Sequence, residues 1–176
     1  MIIWVRHGES TWNARGKTQG RTPHPPLTGR GRRQAYALAG ALGRAREQGM
    51  FAAWSETALY SSPAVRAAQT ARILGPALSA MILVDSRLIE RGTDEDPEQV
   101  RLRIRRFVAD LPGSGVTFIV SHGDTIMSAT GSLIDPLNNP LPNCGMVVTD
   151  RSLSCGKALT DPLSLIELIC DPRKAV

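Results

Sequence analysis

The stretch Val116-Thr117-Phe118-Ile119-Val120-Ser121-His122-Gly123-Asp124 changes from apolar to polar within a few residues. Its first five residues form a continuous, largely β-branched run, which is typical of a strand buried on both faces. The segment after Asp124 has a pattern compatible with a helix as far as Gly131. A buried strand followed closely by a helix is the repeating unit of a parallel α/β sheet. This stretch therefore predicts the fold class.

The same alternation of strand and helix recurs along the chain. Short apolar runs predict further strands at 2–5, 58–61, 82–84, 146–149 and 165–170. Helical patterns separate the strands at 2–5, 58–61 and 82–84 from one another and from the run at 116–120. We therefore predict a three-layer α/β sandwich, in which helices flank both faces of a mostly parallel central sheet.

Two helices are predicted before residue 80. Thr28 is a candidate N-cap for the first, whose apolar stripe is formed by Ala35, Leu38, Ala39 and Leu42. Ser62 as N-cap and Pro63 at the first helical position predict the start of the second helix. This helix would carry the apolar residues Val65, Ala68 and Ile73.

A third helix is predicted to begin at Asp96-Pro97. Its expected core face comprises Val100, Ile104, Phe107, Val108 and Leu111. The opposite face carries four arginines, at positions 101, 103, 105 and 106. Because a run of charges on the back of a helix is usually solvated, we expect these arginines to face water.

The composition is that of a globular domain. The chain has 176 residues, and 42% of them are hydrophobic, so we expect a single catalytic domain over residues 1–176. The longest nearly apolar stretch, 77–84, is too short to cross a bilayer. The beginning of the chain has no signal-like leader, and the three cysteines match no metal or redox spacing. These features predict a cytoplasmic protein that neither spans nor binds a membrane.

The positive charge is concentrated at one end of the chain. Residues 1–60 carry nine Lys or Arg against three Asp or Glu, whereas residues 61–176 carry twelve against thirteen. Eighteen of the 21 basic residues are arginine, whose planar fork suits phosphate, although a GC-rich genome would also enrich arginine. With aromatic residues at only 5%, a base-stacking platform is not expected.

Polar residues that could bind a ligand or take part in catalysis follow the predicted strands. The strands at 2–5 and 116–120 are followed by Arg6-His7 and by His122, and Arg66 comes soon after the strand at 58–61. Ligands of parallel sheets bind outside the carboxyl ends of the strands, so these side chains should meet in one crevice. Two arginines and two histidines there would favour a phosphoryl group. A neutral imidazole can attack phosphorus when its other ring nitrogen is held as N–H, and this scheme needs no metal.

The ordered set of motifs resembles the histidine phosphatase superfamily, which is also called phosphoglycerate mutase-like. The resemblance is carried by three blocks of sequence. The first block is Val5 to Asn13 with Gln19-Gly20, Pro26 to Gly29 and Gln34-Ala35; the second is Leu59 to Pro63 with Arg66, Gln69, Thr70 and Ala71; and the third is Val120 to Gly123. It extends from residue 2 to about residue 130. Gln19-Gly20 resembles the phosphatase branch of the family.

The resemblance implies a role for each matching residue. It makes His7 the nucleophile that forms a phosphohistidine, with Arg6, Arg66 and His122 holding the phosphoryl oxygens and Glu90 donating the proton. It also implies contacts with substrate from Asn13, Gln19, Gly20 and Ser10. The expected reaction is hydrolysis of a small phosphomonoester metabolite, without a metal or another cofactor.

The proton donor has two candidates. The resemblance places Glu90 where the family has its proton donor, although Asp94, Glu95 and Asp96 follow closely. Asp124, two residues after His122, is the rival. The other interpretation of Asp124 is a helix N-cap. In addition, Gly92 is followed by an acidic stretch rather than by the longer insertion of many family members, which predicts a small lid and an open site.

Other functions are compatible with parts of the pattern. A phosphoglycerate mutase is one alternative, but it must shield its phosphoenzyme from water, which an open site does poorly. A protein phosphohistidine phosphatase is favoured by chain length alone. A silent phosphate-binding module would be expected to lack His7, Arg66 or His122, and all three are present. A nucleic-acid partner, suggested by the net charge of +5, is not expected.

Overall fold

A computed structural model describes residues 1–49, 56–131, 140–153, 156–160 and 164. The strands are β1 (Ile2–Arg6), β2 (Thr57–Ser61), β3 (Ile82–Val84), β4 (Val116–Ser121), β5 (Met146–Thr149) and β6 (Gly156–Leu159). The helices are α1 (Gly29–Glu47), α2 (Val65–Leu78), α3 (Pro97–Ala109) and α4 (Gly123–Thr130). Short 3₁₀ turns lie at Asn13–Arg15 and Ser86–Leu88.

The six strands form one sheet in the order β3-β2-β4-β1-β5-β6. The pairs β3/β2, β2/β4 and β4/β1 are parallel, whereas β5 pairs with β1 and β6 with β5 in antiparallel orientation. The prediction of a mostly parallel α/β sheet is therefore confirmed. The strand predicted at 165–170 lies outside the described residues.

The central strands are covered on both faces, which explains their continuous apolar sequence. In β1, Ile3 and Val5 pack into a core with residues of α1 and α2. The alternate residues Ile2 and Trp4 pack into a second core with residues of α3 and α4. Because successive side chains of a strand point to opposite faces, one strand contributes to both cores. The result is the predicted three-layer sandwich.

Helices α1 and α3 begin where their capping residues predict. The Thr28 side chain accepts a hydrogen bond from the backbone N–H of Gly31 at the start of α1. Asp96 and Gln99 form a reciprocal capping box at the start of α3, with Pro97 in the first turn. The expected core residues of both helices are buried, including Leu111 just beyond α3.

Helix α2 begins later than predicted, at Val65, and its N-cap is Ala64. Ser62 is wrong as the N-cap, and Pro63 is wrong as the first helical residue. The backbone N–H of Ser62 donates to the Val120 carbonyl at 3.0 Å, so the chain still follows the sheet at this point. The local capping pattern is overridden by this long-range pairing.

The buried face of α2 is formed by residues other than the three apolar ones named from the sequence. Val65, Ala68 and Ile73 are only half-buried. The residues of α2 that are buried in its core cluster are Ala67, Ala71, Leu74 and Leu78. Because α2 has alanine or another apolar residue around most of its circumference, the apolar periodicity does not define one face clearly.

The arginine face of α3 is divided rather than uniformly solvated. Arg105 and Arg106 are exposed, as expected. Arg101 and Arg103 are half-buried and donate hydrogen bonds to backbone carbonyls, so the prediction is wrong for these two. No helix in the described ranges is long and apolar enough to span a membrane.

Candidate active site

Three parallel strands deliver the site residues to the same edge of the sheet. Beyond β1, the backbone N–H of His7 donates to the Ser121 carbonyl at 3.0 Å, which extends the pairing with β4 by one residue. His122 follows Ser121 directly. The rings of His7 and His122 therefore lie close together, with centroids 5.2 Å apart and planes inclined at 65°. The two histidines that follow predicted strands meet as the fold class implies.

His7 is held in one tautomer. Its Nδ1 lies 2.7 Å from the carbonyl oxygen of Gly8, which can only accept a hydrogen bond, so Nδ1 carries the proton. The Nε2 atom is then unprotonated and accepts a hydrogen bond from Nε of Arg66 at 3.3 Å. The lone pair of Nε2 is the nucleophilic electron pair of this ring.

The surroundings of His7 keep the ring neutral. The pKa of His7 is lowered to about 3, chiefly by burial and also by the charges of Arg66 and Arg6, against a raising effect of the Gly8 hydrogen bond. A protonated Nε2 would have no lone pair for attack. The site therefore maintains the reactive form of the imidazole throughout the neutral range.

Arg66 is fully buried and rigidly held. Its two terminal nitrogens donate to the carbonyls of Thr22 at 2.8 Å and Gly20 at 3.1 Å, while Nε faces His7. Burial lowers the pKa of Arg66 to about 10, which leaves the guanidinium charged at neutral pH. The residue brings a fixed positive charge to Nε2 of His7.

Arg6 supplies a second guanidinium on the cleft wall. One terminal nitrogen donates to the Leu141 carbonyl at 2.5 Å. Its Nε is buried and has no hydrogen-bond partner within the described ranges. A side chain at Gly123 would place its Cβ 3.5 Å from this Nε, so the glycine leaves room beside the guanidinium. An unsatisfied buried donor at this point is available to an anion.

His122 is fully buried and is linked to Ser62, whose hydroxyl lies 2.8 Å from its Nε2. Its Nδ1 is buried without a partner among the described residues. Burial lowers the pKa of His122 well below its ordinary value, and the neighbouring His7 and Arg66 add to this effect. When Ser62 donates to Nε2, the proton of the neutral ring lies on Nδ1, which is then free to donate to a ligand.

Glu90 lies in the cleft wall beyond the 3₁₀ turn that follows β3. Its Oε1 accepts hydrogen bonds from the backbone N–H of Arg91 at 2.9 Å and from the N–H and hydroxyl of Thr125, each at 3.1 Å. Burial nevertheless raises the pKa of Glu90, and the charge of Asp124 adds to the rise. A raised pKa favours the protonated carboxyl group, which is the form that can donate a proton.

Asp124 differs from Glu90 in its surroundings. Half of its side chain is exposed, and its nearest ion-pair partner is Arg91, 4.0 Å away. It is the second residue of α4, whose N-cap is His122, so the interpretation of Asp124 as the N-cap is wrong. An acidic residue in the first turn still stabilises the helix through the macrodipole.

The predicted substrate-binding residues divide into two groups. Asn13, Gln19 and Gly20 line the cleft together with His7. Ser10 is fully buried instead, donates its hydroxyl hydrogen to Gln19 at 2.6 Å, and does not line the cleft. The structure therefore places Ser10 behind Gln19.

Asn13 is oriented by hydrogen bonds to its amide oxygen. Ser10 N–H donates to it at 3.0 Å, and Nδ2 of Asn143 lies 3.5 Å from it. The same Asn143 nitrogen donates to the His7 carbonyl at 3.0 Å. The amide nitrogen of Asn13 is therefore the group that is left to donate to a ligand.

Several supporting residues are not identified by sequence reasoning. Thr70 accepts from the Gly8 N–H at 3.1 Å and donates to the Arg66 carbonyl at 2.8 Å, so it joins the His7 loop to α2. Gly8 is required because a Cβ there would lie 2.5 Å from the Gly31 carbonyl oxygen. Thr70 and Asn143 contact residues that are far away in the sequence. Of the two, only Thr70 belongs to a stretch that carries the family resemblance, Gln69-Thr70-Ala71.

The site opens into a cleft with a volume of about 280 Å³. One wall comprises residues 17–20 and the other residues 90–93, with Arg6, His7, Asn13, Gly123 and Asp124 completing the lining. Across the described ranges, no group of three or more His, Cys, Asp or Glu side chains is placed to hold a metal ion. The cleft combines a buried nucleophile and buried cations with a carboxyl group at its rim.

Comparison with known proteins decides the family. Residues 2–95 match the model of the histidine phosphatase superfamily (branch 1). The chain belongs to this superfamily. The match covers Arg6, His7, Arg66 and Glu90, and ends before the strand that delivers His122.

Curated relatives carry the name "Probable phosphoglycerate mutase GpmB". The Enterobacter sp. (strain 638) protein is 41% identical, and the match covers 69% of each chain. The Yersinia enterocolitica protein is 38% identical over 89 residues, or 51% of this chain and 37% of the relative. For the relatives that match over 89 residues, the alignment spans only about a third of their length.

Solved structures share the fold. A mycobacterial glucosyl-3-phosphoglycerate phosphatase in complex with VO3 has a TM-score of 0.65 and 22% identity, covering 86% of this chain and 92% of the other. The phosphoserine phosphatase of Entamoeba histolytica in complex with 3-phosphoglyceric acid has a TM-score of 0.64 and 22% identity, covering 83% and 88%. These similarities show a common histidine phosphatase fold.

Proposed function

We propose that the chain is a single catalytic domain, residues 1–176, that hydrolyses small phosphomonoesters through a phosphohistidine on His7. The observation that carries the proposal is the fixed tautomer of His7. Its Nδ1 proton is held by the Gly8 carbonyl, so Nε2 is unprotonated, and its lone pair faces the Arg66 guanidinium, from which it accepts a hydrogen bond. Membership of the histidine phosphatase superfamily supports the same role.

In the first step, Nε2 of His7 attacks phosphorus, so that an N–P bond forms while the bond to the ester oxygen breaks. Arg6, Arg66 and the Nδ1–H of His122 bind the phosphoryl oxygens and neutralise their charge, with Asn13 as a further donor. Glu90 donates its proton to the departing oxygen. The raised pKa of Glu90 supports this assignment, since the carboxyl group must be protonated at this stage.

In the second step, water attacks the phosphohistidine. Glu90, now a carboxylate, accepts a proton from this water, the N–P bond breaks, and phosphate leaves with Nε2 again unprotonated. Every step uses side chains of this chain and no metal. The open cleft gives water the access to the phosphoenzyme that hydrolysis requires.

The test is phosphate release from p-nitrophenyl phosphate, phosphoglycerates, phosphoserine and sugar phosphates in the presence of EDTA. We expect hydrolysis by the unmodified protein and by His24→Ala, which alters an exposed histidine. We expect His7→Ala to lose at least about 10³-fold in kcat/KM. Activity that requires a metal, or that survives in His7→Ala, would contradict the proposal.

The names of the relatives favour a second candidate, phosphoglycerate mutase activity. A mutase must return the phosphoryl group to a phosphoglycerate faster than water removes it. The test compares the interconversion of 2- and 3-phosphoglycerate with phosphate release in the same reaction. We expect release of phosphate to dominate, and predominant interconversion would establish the second candidate instead.

A further inference from the structure

Beyond the residues of the proposed site, a buried ion-pair network lies behind the wall that carries Glu90. Arg103 of α3 donates to both carboxylate oxygens of Glu95, from Nε at 2.7 Å and from Nη2 at 3.1 Å. The exposed fractions of the two side chains are 16% for Arg103 and 10% for Glu95. A bidentate pair with this degree of burial is geometrically specific and poorly screened by salt.

Arg103 also holds the backbone immediately before Glu90. Its Nη2 donates to the Ile89 carbonyl at 2.9 Å, and its Nη1 donates to the Arg87 carbonyl. The Ile89 carbonyl accepts a second bond, from the Thr125 hydroxyl at 2.9 Å. The backbone N–H of Thr125 in turn donates to Oε1 of Glu90 at 3.1 Å. The Arg103 side chain is therefore linked to the carboxyl group of Glu90 by a chain of three hydrogen bonds, through Ile89 and Thr125.

Glu95 joins this wall to the opposite wall of the cleft. Its Oε2 accepts from the Gly92 N–H at 3.3 Å and pairs with Arg21 at 3.1 Å. Arg21 lies between Gly20 and Thr22, the residues whose carbonyls bind Arg66. A Cβ at Gly92 would lie 3.1 Å from Nε of Arg21, so the absence of a side chain permits this approach.

We propose that Arg103 and Glu95 are positioning residues that hold Glu90 at the distance from His7 that protonation of the leaving oxygen requires. The inference rests on the proposed function and extends it to two residues that do not line the cleft. Neither residue touches the phosphoryl group. Their loss should therefore impair proton donation and leave binding of the phosphoryl group intact.

The hydrogen bonds of Glu95 with Arg103 lower the pKa of Glu95 to about 2, so the pair stays charged over the working pH range. The pair therefore positions Glu90 equally across this pH range, whereas the protonation of Glu90 itself changes with pH. A displacement of an acid by about 1 Å can cost up to ~10²-fold in rate. The effect should depend on the leaving group. A p-nitrophenyl oxygen leaves with little need of a proton, whereas an alkyl oxygen must be protonated as it leaves.

The experiment compares Arg103→Met and Glu95→Gln with Arg105→Met, which alters an exposed arginine on the same helix. kcat/KM is measured for p-nitrophenyl phosphate and for an alkyl phosphate such as glycerol phosphate. We expect Arg103→Met to lose about tenfold or more on the alkyl ester and less than about threefold on the aryl ester. Glu95→Gln should show the same selectivity, and Arg105→Met none.

Inhibition by vanadate provides a readout of the phosphoryl-binding groups alone. We expect the inhibition constant to change by less than about threefold in Arg103→Met, because Arg6, Arg66 and His7 are untouched. Equal losses on both esters, or no loss on either, in folded Arg103→Met and Glu95→Gln would overturn the inference. Should Arg103→Met fail to fold, Arg103→Lys and Glu95→Gln carry the test. If the unmodified protein hydrolyses neither ester, the proposed function itself fails, and the inference fails with it.

Discussion

The two sides of the cleft differ in how their reactive groups are held. His7, Arg66 and His122 are buried to 98% or more, and Arg66 is fixed by backbone carbonyls. Glu90 is half-buried on a wall that is joined to the rest of the protein through side-chain ion pairs. We infer that the phosphoryl side is preorganised for any phosphomonoester, whereas the leaving-group side distinguishes one ester from another.

The largest effect is expected on the buried side. Arg66→Lys keeps the charge but cannot reach Gly20, Thr22 and His7 at once, because an ammonium group lacks the planar fork. We expect a loss of about 10³-fold in kcat/KM, nearly equal for aryl and alkyl phosphates. Steady-state kinetics on both esters measures it. A loss confined to alkyl esters would contradict the division between the two sides.

The next effect concerns the proton donor. Glu90→Gln should lower kcat/KM for an alkyl phosphate by about 10²-fold or more and for p-nitrophenyl phosphate much less. Asp124→Asn is the matched comparison, since Asp124 lies on the same cleft and is half-exposed. We expect it to retain most activity on both esters. If Asp124→Asn shows the larger selective loss, Asp124 takes the role of the acid.

The pH dependence should reveal the same carboxyl group. Burial raises the pKa of Glu90 above its ordinary value, and its protonated form is the donor. kcat/KM for the alkyl ester should therefore fall as pH rises through that pKa, by up to ~10-fold per pH unit. His7 contributes no acidic limb until the pH approaches its pKa of about 3. Glu90→Gln, measured with the same ester, should lack this fall of kcat/KM at high pH. A fall that persists in Glu90→Gln would come from titration of the substrate instead.

A smaller effect is expected on stability. Thr70→Val keeps the shape of a buried side chain but removes the acceptor for the Gly8 N–H and the donor to the Arg66 carbonyl. Leaving the buried Gly8 N–H unsatisfied should cost about 1–3 kcal/mol of the free energy of unfolding. Urea denaturation measures it, with Thr93→Val on the cleft rim as a comparison. An unchanged midpoint for Thr70→Val would show that the His7 loop does not depend on α2.

Much of the fold follows from local sequence because the buried strands are short apolar runs with polar residues directly after them. This pattern predicts β1 to β5 and the meeting of His7, Arg66 and His122 at one edge. β6 (Gly156–Leu159) is not predicted, because Gly-Lys-Ala-Leu has neither alternation nor β-branched residues and forms through pairing with β5.

The errors occur where a distant contact decides between two local possibilities. Ser62 has the features of an N-cap, but its N–H pairs with β4 and its hydroxyl contacts His122. Arg103 has the pattern of a solvated helix face, but Glu95 and two carbonyls lie within its reach. Neither contact has a sequence signature, since each joins segments that only the folded chain brings together.

The central claim is that the phosphoryl group passes through Nε2 of His7. The most direct measurement is rapid quenching of the enzyme during turnover, followed by peptide mapping under alkaline conditions that preserve phosphohistidine. We predict a transient phosphoryl group on the peptide that contains His7, formed before free phosphate accumulates, and absent from His7→Ala. Turnover without any phosphoenzyme, or with the phosphoryl group on another residue, would contradict the account.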